Sequence, residues 1–289
     1  MPTVKDFNKK LNSLRNMRKV TNTVKMVSAT KFHRAVEALR NARVFDEQFR
    51  GLMTRLSAGV DLVENPLLDP RKKPRNAMVI VISSDRGLCG SFNNNLHRMV
   101  AAWLAARTEQ YEKIDLSCCS RRSNTFFRHR AHIRRYYEGV TAKPAFADAS
   151  KIGKEMIALF LERRYDEVYI ACNRFASPMS QKPEIELFLP IQPILQEGQS
   201  APAAPEMLLE PPQKELLQIL LPKAILLRFF FALLENAAGE HGARMTAMEN
   251  ATNNADDLIK SFTLLKNRAR QAGITKELTE IVTGAEALK

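Results

Sequence analysis

The stretch of this chain with the residue types for chemistry is Ser83-Ser-Asp-Arg-Gly-Leu-Cys-Gly-Ser-Phe-Asn93, where a strand pattern gives way to a helix pattern. Phosphate-binding loops often sit at such a junction, because backbone N–H groups and a helix N-terminus converge there. The stretch has no Lys after Gly90, so it is not GxxxxGK[ST], and its two glycines do not make GxGxxG. It reads as a tight turn at a strand's carboxyl end, with Asp85, Arg86, Gly87 and Gly90 as its structural residues. Cys89 near Asp85 raises nucleophilic chemistry, but no His lies close in sequence, and a buried small hydrophobe is the plainer reading. His33, His97, His129, His132 and His241 show no metal-ligand spacing. His129 and His132 stand among Arg128, Arg130, Arg134 and Arg135, which would repel a cation. Asp256-Asp257 and Glu277/Glu280 read as solvated helix faces. No catalytic constellation, cofactor site or metal site follows from these residues.

The elements around this turn fall into three blocks. The first, 1–62, reads as one helix from about Val4 to Val60. Val4, Phe7, Leu11, Leu14, Met17, Val20, Val24 and Val27 keep steps of three and four, and Phe32, Val36, Leu39, Ala42, Phe45, Phe49, Leu52 and Leu56 continue them after a slip. Thr3 and Asp6 form a capping-box pattern at its start. Such a helix would be about 80 Å long and must pack along another long helix. Asn65-Pro66 and Asp69 to Pro74 end it.

The second block, 75–195, alternates strand and helix. Strand patterns lie at Ala77–Ile82, Ile114–Cys119, Ile133–Tyr137, Glu167–Cys172 and Glu184–Leu189, the last of them half-exposed. Helical patterns lie at Asn93–Glu109, Arg121–Arg130 and Ser150–Arg164. This order predicts a doubly wound, Rossmann-like α/β domain. Residues 196–212 are rich in Gln, Gly, Ser, Ala and Pro and read as a linker.

The third block, 213–289, is again helical, with a kink or break expected at Pro222. Met245, Met248, Thr252, Ala255, Ile259 and Phe262 make a coiled-coil seam, weak because Thr and Ala stand where Leu would hold a partner hardest. The predicted fold class is therefore α/β plus coiled coil: long antiparallel terminal helices with an inserted α/β domain.

Composition narrows the partner. Net charge is +13 over 289 residues, and nine Lys or Arg against the single Asp6 fall between Met1 and Val36. An acidic partner is implied: nucleic acid, anionic lipid or an acidic protein surface. The basic helix has only Phe7 and Phe32 to stack on bases, which argues against single-stranded nucleic acid. No run reaches the roughly 18 apolar residues of a membrane span, the greasiest segment being Ala224–Leu234 with Arg228 inside it. No signal or transit peptide pattern precedes the first helix. Four cysteines without metal spacing suggest reduced thiols.

Three blocks of residues carry a resemblance that runs nearly end to end. They are Arg18-Lys-Val-Thr-Asn-Thr-Val-Lys-Met-Val-Ser-Ala-Thr-Lys31; Ser84-Asp-Arg-Gly-Leu-Cys-Gly90 with Asn93; and Ala243-Arg-Met-x-Ala-Met248, Ala251-Thr-x-Asn-Ala255 and Ala269–Ile281. The chain resembles the gamma subunit of the rotary ATP synthase. The resemblance implies a non-catalytic central-stalk rotor that couples rotation of a membrane ring to conformational change at catalytic beta subunits. It implies alpha, beta and epsilon subunits and the c-subunit ring as partners, no nucleic acid, and membrane contact only through the complex, at the cytoplasmic face of a bacterial inner membrane. It implies beta-subunit contacts at Lys25, Met26, Glu240, Arg244, Gln271 and Thr275. Val24, Ser28, Gly239 and Gly242 depart from the family pattern, and the two glycines are expected to soften the helix. The alternatives are a basic coiled-coil adaptor for nucleic acid and an α/β nucleotide-binding enzyme using the Asp85–Gly90 turn.

Overall fold

The apolar run at 77–82 can be buried on both faces only in the middle of a sheet, and it lies there. The structure, a computed structural model, describes residues 3–57, 65–69, 71, 73–191 and 210–286. It contains α1 (Val4–Ser57), β1 (Asn76–Val81), α2 (Phe92–Ala106), β2 (Lys113–Cys118), α3 (Arg121–Phe127), β3 (Ile133–Tyr136), α4 (Phe146–Leu161), β4 (Glu167–Ser177), β5 (Ser180–Leu189) and α5 (Gln213–Glu286). The chain divides into two compact units, Ala29–Arg244 and Met1–Ser28 with Met245–Lys289.

In the larger unit the strand order is β3-β2-β1-β4-β5, parallel except for the antiparallel edge strand β5. The order reverses beside β1, the mark of a doubly wound sheet. Alternate residues of β1 feed two cores. Val79 and Val81 meet Leu96 and Val100 of α2 and Phe127 of α3 on one face. Met78 and Ile80 meet Met156 and Phe160 of α4 on the other. That second face is completed by Met53 and Leu56 of α1 and by Leu217, Leu221, Ile225, Phe229 and Leu233 of α5.

Pro222 neither breaks nor ends α5, which is one helix from Gln213 to Glu286. A proline inside a helix costs about 3 kcal/mol. Leu217, Leu221 and Ile225, each no more than 4% exposed, flank it. Burying such side chains returns about 1.5–3 kcal/mol apiece, enough to carry the helix through. The same core corrects the membrane argument. One 18-residue window of α5 is long and apolar enough to span a bilayer, with mean hydropathy 1.9. Within α5, Leu217, Leu221, Ile225, Phe229 and Leu233 are buried in the sheet's core, and 39% of that window is buried. The linker 196–212 falls outside the described residues except at 210–212, and so does the expected helix end at 58–60.

In the smaller unit α1 and α5 run antiparallel. Phe7 faces Phe262 with ring centroids 6.3 Å apart, Arg18 meets Asp256 at 2.8 Å, Thr21 meets Thr252 at 2.8 Å, and Lys25 meets Glu249 at 2.7 Å. Rising numbers on one helix thus pair with falling numbers on the other. Leu11, Leu14, Met248 and Ala255 are buried in the seam. Met17, Val20 and Val27, expected in that seam, are exposed, as is Phe45 farther along α1. A 3.6-residue helix drifts off a three/four register, so a single stripe cannot stay inward over 54 residues. Thr3 and Asp6 form the expected cap, Thr3 N donating to Asp6 Oδ2 at 3.0 Å and Asp6 N to Thr3 Oγ1 at 3.3 Å.

Candidate functional site

The Ser83–Asn93 stretch is a turn held from inside by its own side chains. Ser84 N donates to Asn93 Oδ1 at 3.0 Å, and Asn93 Nδ2 donates to Ser84 Oγ at 2.8 Å. Ser84 Oγ in turn donates to Arg86 O at 2.5 Å. Asp85 reaches sideways: its Oδ1 accepts from Arg121 N at 2.8 Å at the start of α3, and its Oδ2 accepts from Thr141 Oγ1 at 3.1 Å. The carboxylate therefore sits where a helix N-terminus favours negative charge. Leu88 (φ 64°) and Gly90 (φ 58°) take the left-handed conformation that lets the turn close. Gly87 allows a close approach, since a Cβ there would lie 2.5 Å from Arg122 Nη2. Cys89 is buried, and burial pushes its thiol pKa up, the opposite of an activated nucleophile.

Helix α5 then covers this turn. Asn236 Nδ2 donates to Ser83 O at 2.8 Å. Arg244 donates to Gly87 O at 3.1 Å through Nε and to Arg86 O at 3.3 Å through Nη2, and Nη2 also pairs with Glu240 Oε1 at 2.7 Å. Glu240 and Arg244 are 5% and 7% exposed. Burial raises the Glu240 pKa, and the Arg244 guanidinium pulls against that rise. Burial, with Arg244 and Lys31 beside it, lowers His241 to about 4. In doubly wound sheets, ligands lie outside the carboxyl ends of the strands at the point where the order reverses. Here the chain's own helix fills that place.

The remaining expected site residues lie elsewhere. Lys25 is half-buried beside Glu249, Met26 is exposed, and Gln271 and Thr275 are exposed on α5. The two expected soft points on α5 are packing points. A Cβ at Gly239 would stand 3.0 Å from Phe92, and one at Gly242 would stand 3.1 Å from Pro178 Cα and 3.2 Å from Phe32. The histidines bind no cluster: His132 Nδ1 lies 2.7 Å from Asp115, and His97 sits buried on Ser123 at 3.0 Å. No group of three or more metal-binding side chains occurs among the described residues. Asp256 and Asp257 pair with Arg18 and Lys260, and Glu280 with Lys276.

Sequence reasoning missed two polar clusters. Arg174 on β4 joins Glu184 at 3.1 Å, Glu186 at 2.5 Å and Glu235 of α5 at 2.9 Å. Ser83, Ser120, Ser123 and His97 form the other, beneath the turn. The alternating Glu184 and Glu186 of an edge strand opposite a lone Arg was the available signal for the first. Nothing local marked the second.

Fold and site together define the class: a chain with a Rossmann-like sheet whose ligand crevice is plugged by the chain's own helix, and with a separate unit of two long antiparallel helices. Comparison with known proteins gives the family. The profile of the family described as ATP-synt, ATP synthase, matches residues 3–288. An ATP synthase gamma chain of Anaeromyxobacter sp. is 42% identical over the full length of both chains, and that of Geobacter metallireducens is 38% identical, again over both full lengths. A chain of the Euglena gracilis mitochondrial ATP synthase shares the fold at a TM-score of 0.67, with 20% identity, 99% of this chain and 94% of that one covered. The rotor structure of the same organism gives 0.66 over 94% and 98%. The chain belongs to the ATP synthase gamma chain family. It is a subunit of that complex, and its function is that of the central-stalk rotor.

Proposed function

We propose that this rotor is non-catalytic and works as an asymmetric axle inside a ring of alpha and beta subunits. In this reading 1–62 and 213–289 are the shaft, 75–195 the insert and 196–212 its linker. The observation that carries it is the bare end of α5. Phe7, near the start of α1, already faces Phe262, so α5 continues past its partner helix with Ile274, Leu278, Ile281 and Val282 all at least 50% exposed. A lone helical stretch of this kind is marginal in water, and an apolar stripe on it calls for a partner surface. Two helices have no threefold symmetry, so three equivalent beta subunits would each meet a different face. A contact shifts a conformational equilibrium only by its differential energy between states. Moving a population from 1:99 to 99:1 takes about 5.5 kcal/mol, which several contacts can supply together.

Lys25, Met26, Gln271 and Thr275 are proposed beta-subunit contacts, with Glu240 and Arg244 serving the same interface through the Arg86–Leu88 turn they fix. The epsilon subunit and c-subunit ring are the proposed partners of the insert, and the complex is placed at the cytoplasmic face of a bacterial inner membrane. Reconstitution tests this. The purified chain should not hydrolyse ATP, and with alpha and beta subunits it should form a stoichiometric complex. Ile274→Asp with Leu278→Asp should weaken that assembly about tenfold or more, since charges would replace buried apolar contacts. Assembly unchanged by the pair would refute the axle reading. Salt-sensitive DNA retention without subunit binding would favour an adaptor.

A further inference from the structure

With the crevice at the strand-order reversal plugged by α5, an open cavity remains at the carboxyl end of the strands, on the α2–α3 side. It measures about 450 Å³ and is lined by the Gly87–Gly90 turn, Asn94, Arg122, Thr125, Phe126 and Arg130, among others. No Asp or Glu lines it. The Arg122 guanidinium makes no ion pair or hydrogen bond with any described residue and lies against Gly87. Arg130 has no carboxylate either: its Nη1 donates to Phe126 O at 2.6 Å, and its guanidinium lies 4.2 Å over the Phe126 ring. His97 also lines the cavity; burial, and next the Arg122 guanidinium, lower its pKa to about 4. The turn enters α2, whose N-terminal end carries the positive pole of the helix dipole.

We propose that this cavity binds a small anion carrying two or more linked phosphates. The volume lies within the roughly 300–1,000 Å³ of small-molecule sites, too small for a nucleic-acid duplex. Two uncompensated guanidiniums suit phosphate oxygens, which they engage in bidentate fashion. Gly87 has a role in this: without a Cβ, it leaves Arg122 room to lie across the mouth. The cavity shares Gly87 and Leu88 with the turn assigned above to the beta-subunit interface, so the free chain, without partner subunits, tests the proposal apart from the rotor reading.

The test is isothermal titration of the full-length chain at low ionic strength with inorganic pyrophosphate and, separately, with ADP. One saturable site is expected. Arg122→Ala should weaken it about tenfold or more, the usual effect of losing a charge-assisted hydrogen bond. Gly87→Ala, which pushes the guanidinium aside without needing a new backbone conformation, should weaken it several-fold, roughly in line with losing part of that contact. Lys143→Ala, exposed and outside the cavity, should leave it within about twofold. Tighter binding of ADP than of pyrophosphate would identify a nucleotide as the source, and equal binding a simple polyphosphate. Trp103 fluorescence, reporting from α2, confirms that each variant is folded; should Arg122→Ala fail this check, Gly87→Ala decides. No saturable binding, or binding that survives both variants, overturns the proposal.

Discussion

Replacing Arg244 by Met tests whether the α5 lock on the Ser83–Gly90 turn is as costly to break as its burial implies. The substitution keeps most of the side-chain volume but removes four interactions: those to Gly87 O, Arg86 O, Glu240 Oε1 and His241 Nδ1. Breaking a buried ion pair by removing one partner typically costs about 3–5 kcal/mol, because the other charge is left without compensation. The pH dependence separates this from a simple packing defect. Burial already raises the Glu240 pKa in the folded chain, and Arg244 is the main influence lowering it. Without Arg244 the folded pKa rises further above the unfolded value. A raised folded pKa means the folded state holds the proton longer, so stability is fully present below the unfolded carboxyl pKa and is lost as pH rises through the folded one. The variant should therefore be much more destabilised at pH 8 than at pH 4.5. Urea unfolding followed by Trp103, the chain's one tryptophan, measures both. The second variant, Glu240→Gln with Arg244→Met, should recover much of the loss and flatten the pH profile. A loss under about 1 kcal/mol, or one that is equal at both pH values, would refute the argument.

Three further outcomes follow from the same geometry. Gly242→Ala gains about 1 kcal/mol in helix propensity, but its Cβ meets the Pro178 backbone at 3.1 Å, so the thermal midpoint should fall by several degrees, as about 1–3 kcal/mol of overpacking implies. His97 and His241 are each held near pKa 4 by burial, below the unfolded value of 6.5, so stability should be full above pH 6.5 and drain away as pH falls toward 4, an effect His97→Asn would reduce. Cys118, Cys119 and Cys172 are buried with raised pKa values, about 12 for Cys118 and Cys172, and Cys89 is shifted the same way. A disulfide reagent at pH 8 should thus label none of them in the native chain and all four in urea; rapid native labelling would contradict the packing.

What could be read from the sequence depended on how local the cause was. The strands of the sheet and the Thr3–Asp6 cap depend on a few neighbouring residues, and their patterns placed them within a few positions. β4 runs on to Ser177 rather than Cys172 because β5 pairs with it that far, which is a nonlocal fact. Pro222 misled for the same reason: propensity argued for a break, and burial of Leu217, Leu221 and Ile225 overrode it. Gly239 and Gly242 look like weak points in a helix read alone, and only Phe92, Phe32 and Pro178 lying against them show why no side chain fits. Arg244 and Glu240 look like surface charges at i, i+4. Their burial became visible only once α5 was laid across the turn.

That layout bears on the order in which the polypeptide can be made. One face of the sheet is closed by Leu217, Leu221, Ile225 and Phe229, more than twenty positions beyond the last strand. During synthesis at about 5–20 residues per second, the strands emerge seconds before the helix that shields them. For that interval the nascent sheet presents a bare apolar flank, so a holding chaperone, or slow emergence through 190–235, would have the most effect on yield there.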